Sequence, residues 1–460
     1  MKKLFGTDGI RGEAGKFPLD AATIETIGAS LVTHLTKELG RSPLVVIGRD
    51  TRESGEWLER ALLSGIAKVG GESKSAGIIT TPGVAFLART LPADAGIVIS
   101  ASHNPYRDNG IKIFSPSGRK LDEATERLIE ADIRSSAPKL QQDNGSLNEV
   151  GNVSENEASD LRDLYLEYLH NEVGRELSLK GTRMVMDCAN GAASAIGPQL
   201  FERLGASVIS INAKPDGRNI NLESGSLHTE NLQNEVLKQK ADLGVAVDGD
   251  ADRSLFVDAE GHLANGDATL WVLANYLQAK EQLVHDTVVA TVMSNIGLEI
   301  ALRSKGIALV RTAVGDKFVL DELIRIGAAL GGEQSGHIIF PQLSLAGDGL
   351  ITTLCLMRAM VEQEKSLTEL TAGFQTFPQI LINVEVKEKR PFEEVDRIKE
   401  TAQMVEDQLG STGRLLLRYS GTESLARVMI EGENQQQIEN LADELAGVIR
   451  NTLGSNDSYK

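Results

Sequence analysis

Three aspartates stand at alternate positions in Asp248-Gly249-Asp250-Ala251-Asp252-Arg253, directly after the apolar run Leu243 to Val247. Such a run reads as a buried strand, so the acidic loop falls at a strand's carboxyl end, where α/β proteins place their chemistry. Carboxylates this close repel one another unless a cation sits among them, and an oxygen-only ligand set suits Mg²⁺ or Ca²⁺. An EF-hand fails on position: the sixth residue of the loop is Arg253 rather than glycine, and the twelfth is Ala259 rather than glutamate. Three monodentate aspartates leave part of an ion's coordination open for water or a phosphate oxygen. The plain alternative is a solvated acidic turn. Arg253 either holds a phosphate oxygen or neutralises the loop.

A second apolar run, Ile97-Val98-Ile99, enters Ser100-Ala101-Ser102-His103-Asn104-Pro105, and a further strand opens at Gly110 and carries Lys112. By residue type alone, Ser102 is either a nucleophile or a turn residue whose hydroxyl bonds to backbone. A third loop, Gly332-Glu333-Gln334-Ser335-Gly336-His337, follows the strand-like Ala328 to Leu330. It is not the esterase elbow, which needs glycine where Glu333 stands. Its Glu, Ser and His either bind sugar hydroxyls or cap the loop. The fourth, Arg418-Tyr419-Ser420-Gly421-Thr422-Glu423 with Arg427 beyond, gathers arginine, hydroxyls and glycine as an anion nest would. It lacks the lysine and spacing of a P-loop, and a surface turn with a rim arginine is the competing reading.

The elements that position these loops follow from periodicity. Leu4 to Gly12 carries three glycines around Arg11, a tight path rather than a helix. Asp20 precedes a helical stripe of Ile24, Ile27, Leu31 and Leu35 that Gly40 stops. Strand Leu44 to Ile47, helix Trp57 to Val69 and a strand opening at Gly77 give βαβ order. Residues 138–157 turn polar and read as an exposed connection, with a helix from about Ser159 to His170. Strands are expected at Arg183 to Asp187, Ser207 to Ile211, Leu243 to Val247, Val288 to Val292 and Ile307 to Val310. Helices fall at Ile196 to Leu204, Thr229 to Lys240 and Gly297 to Ser304. Leu200 to Ala206 and Ile300 to Ile307 look like one helix–Gly–strand unit repeated, with Leu63 to Gly71 a weaker copy.

After Phe374 the rhythm changes to strands at Ile380 to Val386, Arg414 to Arg418 and Ala426 to Glu431, with helices from Glu394 to Leu409 and Gln437 to Leu453. The expected architecture is α/β: three successive α/β domains of similar mixed-sheet topology plus a C-terminal α+β domain, around a central cleft. Boundaries are placed at 1–150, 158–254, 255–372 and 375–460. Each block carries one informative loop, so a shared site in a cleft between them is the natural arrangement.

At 460 residues the chain is too long for one core. Its formal charge of −18 argues against general affinity for nucleic acid or an anionic membrane, though clustered arginines can invert the field inside a cleft. The two cysteines, Cys188 and Cys355, are far apart in sequence and suit a reducing compartment. No apolar stretch matches a secretion signal or a membrane span, so a cytoplasmic location is expected.

Taken in order along the chain, Gly6-Thr7-Asp8-Gly9-Ile10-Arg11-Gly12, the Ser102 loop with Lys112, Asp248 to Arg253, Gly332 to His337 and Arg418 to Glu423 resemble the α-D-phosphohexomutase superfamily. The Glu333-Gln334-Ser335 sequence is similar to its phosphoglucosamine branch. The resemblance implies that Ser102 is the phosphoserine and that Asp248, Asp250 and Asp252, with Ser102, hold one Mg²⁺, with Arg253 nearby. It implies that Glu333, Ser335 and His337 hold sugar hydroxyls. Arg418, Ser420, Gly421, Thr422 and Arg427 would grip the phosphate that is not transferred. Lys112 would neutralise phosphate oxygens or assist proton transfer with a pKa lowered by burial or nearby cations; an ion pair is its plain alternative. His103 would touch phosphate or support the loop, and Arg11 would point into the same cleft. The implied reaction interconverts glucosamine 6-phosphate and glucosamine 1-phosphate through a 1,6-bisphosphate that is also the activator. Sister activities on glucose or mannose phosphates are the alternative. The partner is a small hexosamine phosphate, with no nucleic acid or membrane, for a monomer or homodimer in amino-sugar metabolism. One departure is Ala251, where the family commonly has glycine; φ is expected to be negative in this loop, where alanine costs little and disturbs the metal geometry only slightly.

Overall fold

The computed structural model describes residues 3–6, 8–140, 154–420 and 423–454, with the side chains of 136–140 aside. The chain forms two compact units. One comprises residues 1–291 with 312–372; the other comprises 292–311 with 373–460.

In the larger unit, the first sheet runs in the order Phe5–Gly6, Gly9–Glu13, Asp108–Phe114, Ala95–Ile99, Leu44–Arg49, Glu72–Ile78. Leu44–Arg49 pairs in parallel with Glu72–Ile78 and Ala95–Ile99, and the chain then turns antiparallel into Asp108–Phe114 and Gly9–Glu13. The second sheet repeats the plan. Arg183–Asp187 is parallel to Ser207–Ile211 and Leu243–Val247, and Ser254–Asp258 then Leu263–Ala264 add antiparallel on the far side of Leu243–Val247. In the third, Thr287–Thr291 is parallel to Leu330–Gly332, which pairs antiparallel with Ile338–Ile339. This shared pattern puts the carboxyl end of a buried strand beneath each of three loops: Ser102, Asp248 and Glu333.

Local chemistry explains the elements. The Asp20 side chain accepts from the N–H of Thr23, and Gly40 leaves the helix Ala21–Leu39 in left-handed backbone at φ 69°. That helix lays Ile24, Ile27 and Leu31 against Val45, Ile47, Ile97, Ile99 and Ile111 of the first sheet, all fully buried. At roughly 1.5–3 kcal/mol per buried aliphatic side chain, this layer outweighs any single loop contact.

Three expectations need correction. Gly77 ends a strand rather than opening one, because Glu72–Ile78 is the outer strand of its sheet and its polar first half faces solvent. Residues 155–157 are helical: Ser154 caps the helix Glu155–Tyr168, while 141–153 of the expected connection lie outside the described residues. The glycine-rich start is a strand pair in which Gly9–Glu13 lies beside Asp108–Phe114. Its glycine content hid it, and that glycine is required. Gly9 has φ +82°, and a Cβ there would stand 2.2 Å from the Ile111 carbonyl oxygen.

The smaller unit is an antiparallel sheet ordered Gln379–Glu385, Leu425–Glu431, Arg414–Tyr419, backed by helices Asp396–Leu409 and Gln435–Leu453. Val384, Ile398, Val405, Val428, Ile430, Ile438 and Ile449 fill its core. The helix Ile296–Ser304 belongs to this unit. Both cysteines are free; burial pushes the Cys188 thiol well up and the Cys355 thiol up to about 12. No helix among the described residues is long and apolar enough to cross a membrane.

Candidate active site

Ser102 is 1 % exposed and has φ +54°, a left-handed conformation that costs a serine about 1 kcal/mol or more. The surroundings over-determine it. The fully buried Arg52 guanidinium donates to the carbonyl oxygens of Ser102 at 3.0 Å, Asn104 at 2.8 Å and also Pro105. Its Nε donates to Asp50 at 2.9 Å, and the same Asp50 oxygen accepts from the Ser100 hydroxyl at 2.6 Å. Asn221 donates to the Ser102 and Asn104 carbonyls at 2.8 and 3.1 Å. Held this way, the Ser102 hydroxyl donates to Asp248 Oδ2 at 2.6 Å.

Asp248, Asp250 and Asp252 are buried, and one oxygen from each lies within 4.8 Å of the others. Burial, together with the charges of Asp252 and Asp250, raises the Asp248 carboxyl well above its ordinary value. Burial acts on Asp252 too, but Lys112, His337 and Arg253 outweigh it and lower that carboxyl. Asp250 Oδ1 and Asp252 Oδ1 are buried with no hydrogen-bond partner. Bare buried carboxylate oxygens that face one another are unsatisfied in protein alone, and a divalent cation satisfies them. The donor set fits a hard ion.

Ala251 has φ +56°, so the expectation of a negative φ is wrong. The loop needs left-handed backbone between Asp250 and Asp252, and alanine adopts it at about 1–2 kcal/mol. Lys112 also departs from expectation. Burial opposes its charge, but Asp250, Asp8 and Asp252 hold the ammonium well above its ordinary pKa. Its Nζ lies 2.7 Å from Asp250, 3.1 Å from Asp8 and 3.5 Å from Asp252. Thus Lys112 is a charge in this arrangement rather than a proton acceptor.

Burial, Arg253 and Arg11 lower the pKa of His103, and Arg253 donates to its Nδ1 at 3.1 Å, so the ring is neutral with a bare Nδ1. That nitrogen is 3.4 Å from the Ser102 hydroxyl. Arg11 pairs with Asp8, the carboxylate that also meets Lys112. In the third loop, Glu333 accepts from the Gly315 N–H at 3.1 Å, Ser335 is exposed, and Gln334 donates to Asp267 at 3.1 Å. His337 is 4 % exposed, with Nδ1 3.7 Å from Asp252. Burial works against its charge, yet the carboxylates of Asp252, Asp316 and Glu333 push its pKa up to about 9. The Gly347 N–H donates to Nε2 at 3.2 Å, so in the neutral ring the proton sits on Nδ1, toward Asp252.

The larger unit therefore brings together Ser102, His103, Lys112, Arg11, the three aspartates, Arg253, Glu333 and His337. The fourth loop lies in the smaller unit. There Arg418 and Arg427 stand opposite each other on paired strands, and burial and the Arg427 charge lower the pKa of Arg418. Two like charges in register repel, and the Glu423 carboxylate, 3.4 Å from Arg427, offsets part of that repulsion. Ser420 is buried beside them, while Gly421 and Thr422 lie outside the described residues.

Models of the phosphoglucomutase/phosphomannomutase family match the chain over residues 2–139 (alpha/beta/alpha domain I), 163–261 (domain II), 265–377 (domain III) and 381–448 (C-terminal domain). The chain belongs to this family. Among its members, the phosphoglucosamine mutase of Solibacter usitatus is 47% identical over 98% of this chain and 99% of its own length. That of Chlamydia trachomatis serovar D is 42% identical over 99% and 98%. A phosphoglucomutase/phosphomannomutase family protein from Burkholderia thailandensis shares the fold, with a TM-score of 0.78 and 24% identity over 98% and 97% of the chains.

Sequence reasoning missed Arg52, Asp50, Asn221 and Thr81, and it named Asp8 in the start loop without a role. Thr81 donates to Asp250 at 2.5 Å. Asp50 and Arg52 follow the strand Leu44–Arg49, and a charged pair after a buried strand is the signal that could have found them. Asn221 sits in irregular chain at φ +57° and carried none.

Proposed function

We infer that the chain acts as a phosphoglucosamine mutase, an intramolecular phosphotransferase that interconverts glucosamine 6-phosphate and glucosamine 1-phosphate. The observation that carries this reading is the Ser102 hydroxyl, fixed in strained backbone 2.6 Å from the buried Asp248. A hydroxyl that merely finished a turn would need neither the strain nor a buried carboxylate cluster. Phosphorylated Ser102 transfers its phosphoryl group to the free hydroxyl of the sugar phosphate. The P–O bond to Ser102 breaks as the bond to the sugar oxygen forms, and the sugar hydroxyl's proton ends on the Ser102 oxygen, giving the 1,6-bisphosphate. The other phosphoryl group then returns to Ser102.

Such transfers are governed by alignment and charge compensation. Asp248, Asp250 and Asp252, with Ser102, would hold one Mg²⁺, which supplies Lewis-acid charge for phosphoryl oxygens. Lys112, Arg11 and Arg253 add fixed positive charge on the same side, and His103 buttresses Ser102 and Arg253. Glu333 and Ser335 orient the sugar hydroxyls, with His337 beneath them. Arg418, Ser420, Gly421, Thr422 and Arg427 would receive the phosphate that is not transferred. The division into domains 1–150, 158–254, 255–372 and 375–460 and a cytoplasmic monomer or homodimer accompany this reading.

Relatives acting on glucose or mannose phosphates share the serine and metal loops, so the sugar loop discriminates. Comparison of kcat/KM on glucosamine, glucose and mannose phosphates is expected to favour glucosamine; equal or reversed preference overturns the assignment. Ser102→Ala is expected to lose roughly a thousandfold or more in kcat, because the covalent route is removed. Intact mass after incubation with glucosamine 1,6-bisphosphate should show one added phosphoryl group in the wild type and none in S102A.

A further inference from the structure

Lys120 lies between the strand Asp108–Phe114 and the helix Glu123–Leu140, and its side chain is one-fifth exposed. Its ammonium stands 2.8 Å from Asp8 Oδ1 and 2.7 Å from Asp316 Oδ2. These carboxylates belong to segments far apart in sequence, and each has other partners in the site. Asp8 pairs with Arg11 and with Lys112 at 3.1 Å. Asp316 opens the helix Asp316–Ile326, directly after the Gly315 whose N–H holds Glu333. Its carboxylate also lies 3.8 Å from His337 Nε2.

Two more ion pairs follow the same seam, Arg119–Asp321 at 2.7 Å and Lys317–Glu123 at 3.2 Å. Both are about half-exposed, and such pairs contribute little. Lys120 differs because burial makes its charge expensive, and two carboxylates offset that cost. Without it, like charges face each other across the vacated space. Asp8 then keeps Lys112 and Arg11, while Asp316 keeps the Lys317 backbone N–H and His337.

We propose that Lys120 is a positioning residue that sets Arg11 and Lys112, through Asp8, against the sugar loop of Glu333 and His337, through Asp316. The inference rests on the mutase reading for its kinetic consequence, but its geometric consequence is independent of it. Lys120 contacts no reacting atom in this role; it fixes the spacing between groups that do. A positioning error of that kind acts on the transition state more than on ground-state binding.

The test uses the full chain. Lys120→Met is expected to lower kcat on glucosamine 6-phosphate by about tenfold or more with a smaller change in KM, as the loss of a group that fixes the spacing of reacting groups predicts. Lys120→Arg should recover most of that loss, and the solvated Arg119→Ala should keep wild-type kinetics. K120M and Asp316→Asn combined should be no worse than the poorer single variant, because both break one link. Hydrogen exchange at amides 8–11 and 315–317 should accelerate together in K120M. Wild-type kinetics in a folded K120M, additive losses in the double variant, or faster exchange in only one segment would overturn the proposal. If K120M does not fold, D316N carries the kinetic and exchange readouts in its place. If the wild type turns over no hexose phosphate, the mutase reading falls alone and hydrogen exchange decides the role of Lys120.

Discussion

Ser102 and the three aspartates were legible in the sequence because chemistry-bearing side chains follow apolar runs too regular to be loops. The residues that make them work were not. Arg52 and Asn221 act on backbone carbonyls, and a bond to a carbonyl leaves no residue-type signature in the segment it holds. Nor can spacing reveal the sign of a φ angle, which is why Ala251 was misjudged; the direction of the Lys112 shift needed the carboxylates around it, two of them supplied by the distant acidic loop. Arg52 yields the clearest prediction at this scale. Arg52→Met strands Asp50 in the interior and frees three carbonyls, so urea unfolding should show a loss of about 3–5 kcal/mol. Arg52→Lys keeps the charge but not the fork that reaches three acceptors, and it should fall between the two while lowering turnover more than stability.

Many elements were legible from periodicity and caps, most with ends displaced by a residue or two and the helix Glu155–Tyr168 by four at its start. The strands that failed are those whose composition serves a neighbour: at Gly9 the strand Gly9–Glu13 lies too close to the Ile111 carbonyl for a side chain, and Glu72–Ile78 borders solvent. The helices Thr81–Thr90, Glu123–Leu140, Gly266–Ala279, Asp316–Ile326 and Gly349–Gln363 went unread. Element chemistry also predicts a pH response. Asp348 caps the helix Gly349–Gln363, accepting from the N–H groups of Leu350 and Ile351, and receives the Tyr165 hydroxyl at 2.6 Å. Burial pushes its carboxyl from 3.8 up to about 6 despite those bonds. At the acid end of this window folded and unfolded chains both hold the proton; through it only the folded chain does; above it the folded chain buries a charge. Stability from this group therefore falls as pH rises from about 4 to 6, by up to about 3 kcal/mol. Asp348→Asn should remove that slope in pH-dependent urea melts, leaving a variant that gains on the wild type as pH rises.

At the scale of the molecule, the change of rhythm after Phe374 marked where the last unit begins, but nothing marked residues 292–311 as part of it. That segment reads as another turn of the α/β repeat, and its allegiance is set by contacts the sequence does not announce. Asn295 exchanges hydrogen bonds with the backbone of Phe377, and the fully buried Glu431 accepts from Asn295, from the Ile296 N–H and from Arg414. Glu431→Ala should cost that unit about 3–5 kcal/mol and expose 292–311 to limited proteolysis before the rest of the chain. The backbone between the acidic and serine loops carries a different consequence. A Cβ on Gly249 would stand 2.6 Å from the Ser102 carbonyl oxygen, so main chain rests on main chain with no side chain to trim or enlarge. Neither loop can drift alone under mutation. A graft that imports one of them from a distant relative must bring the other, or arrive with a misaimed hydroxyl.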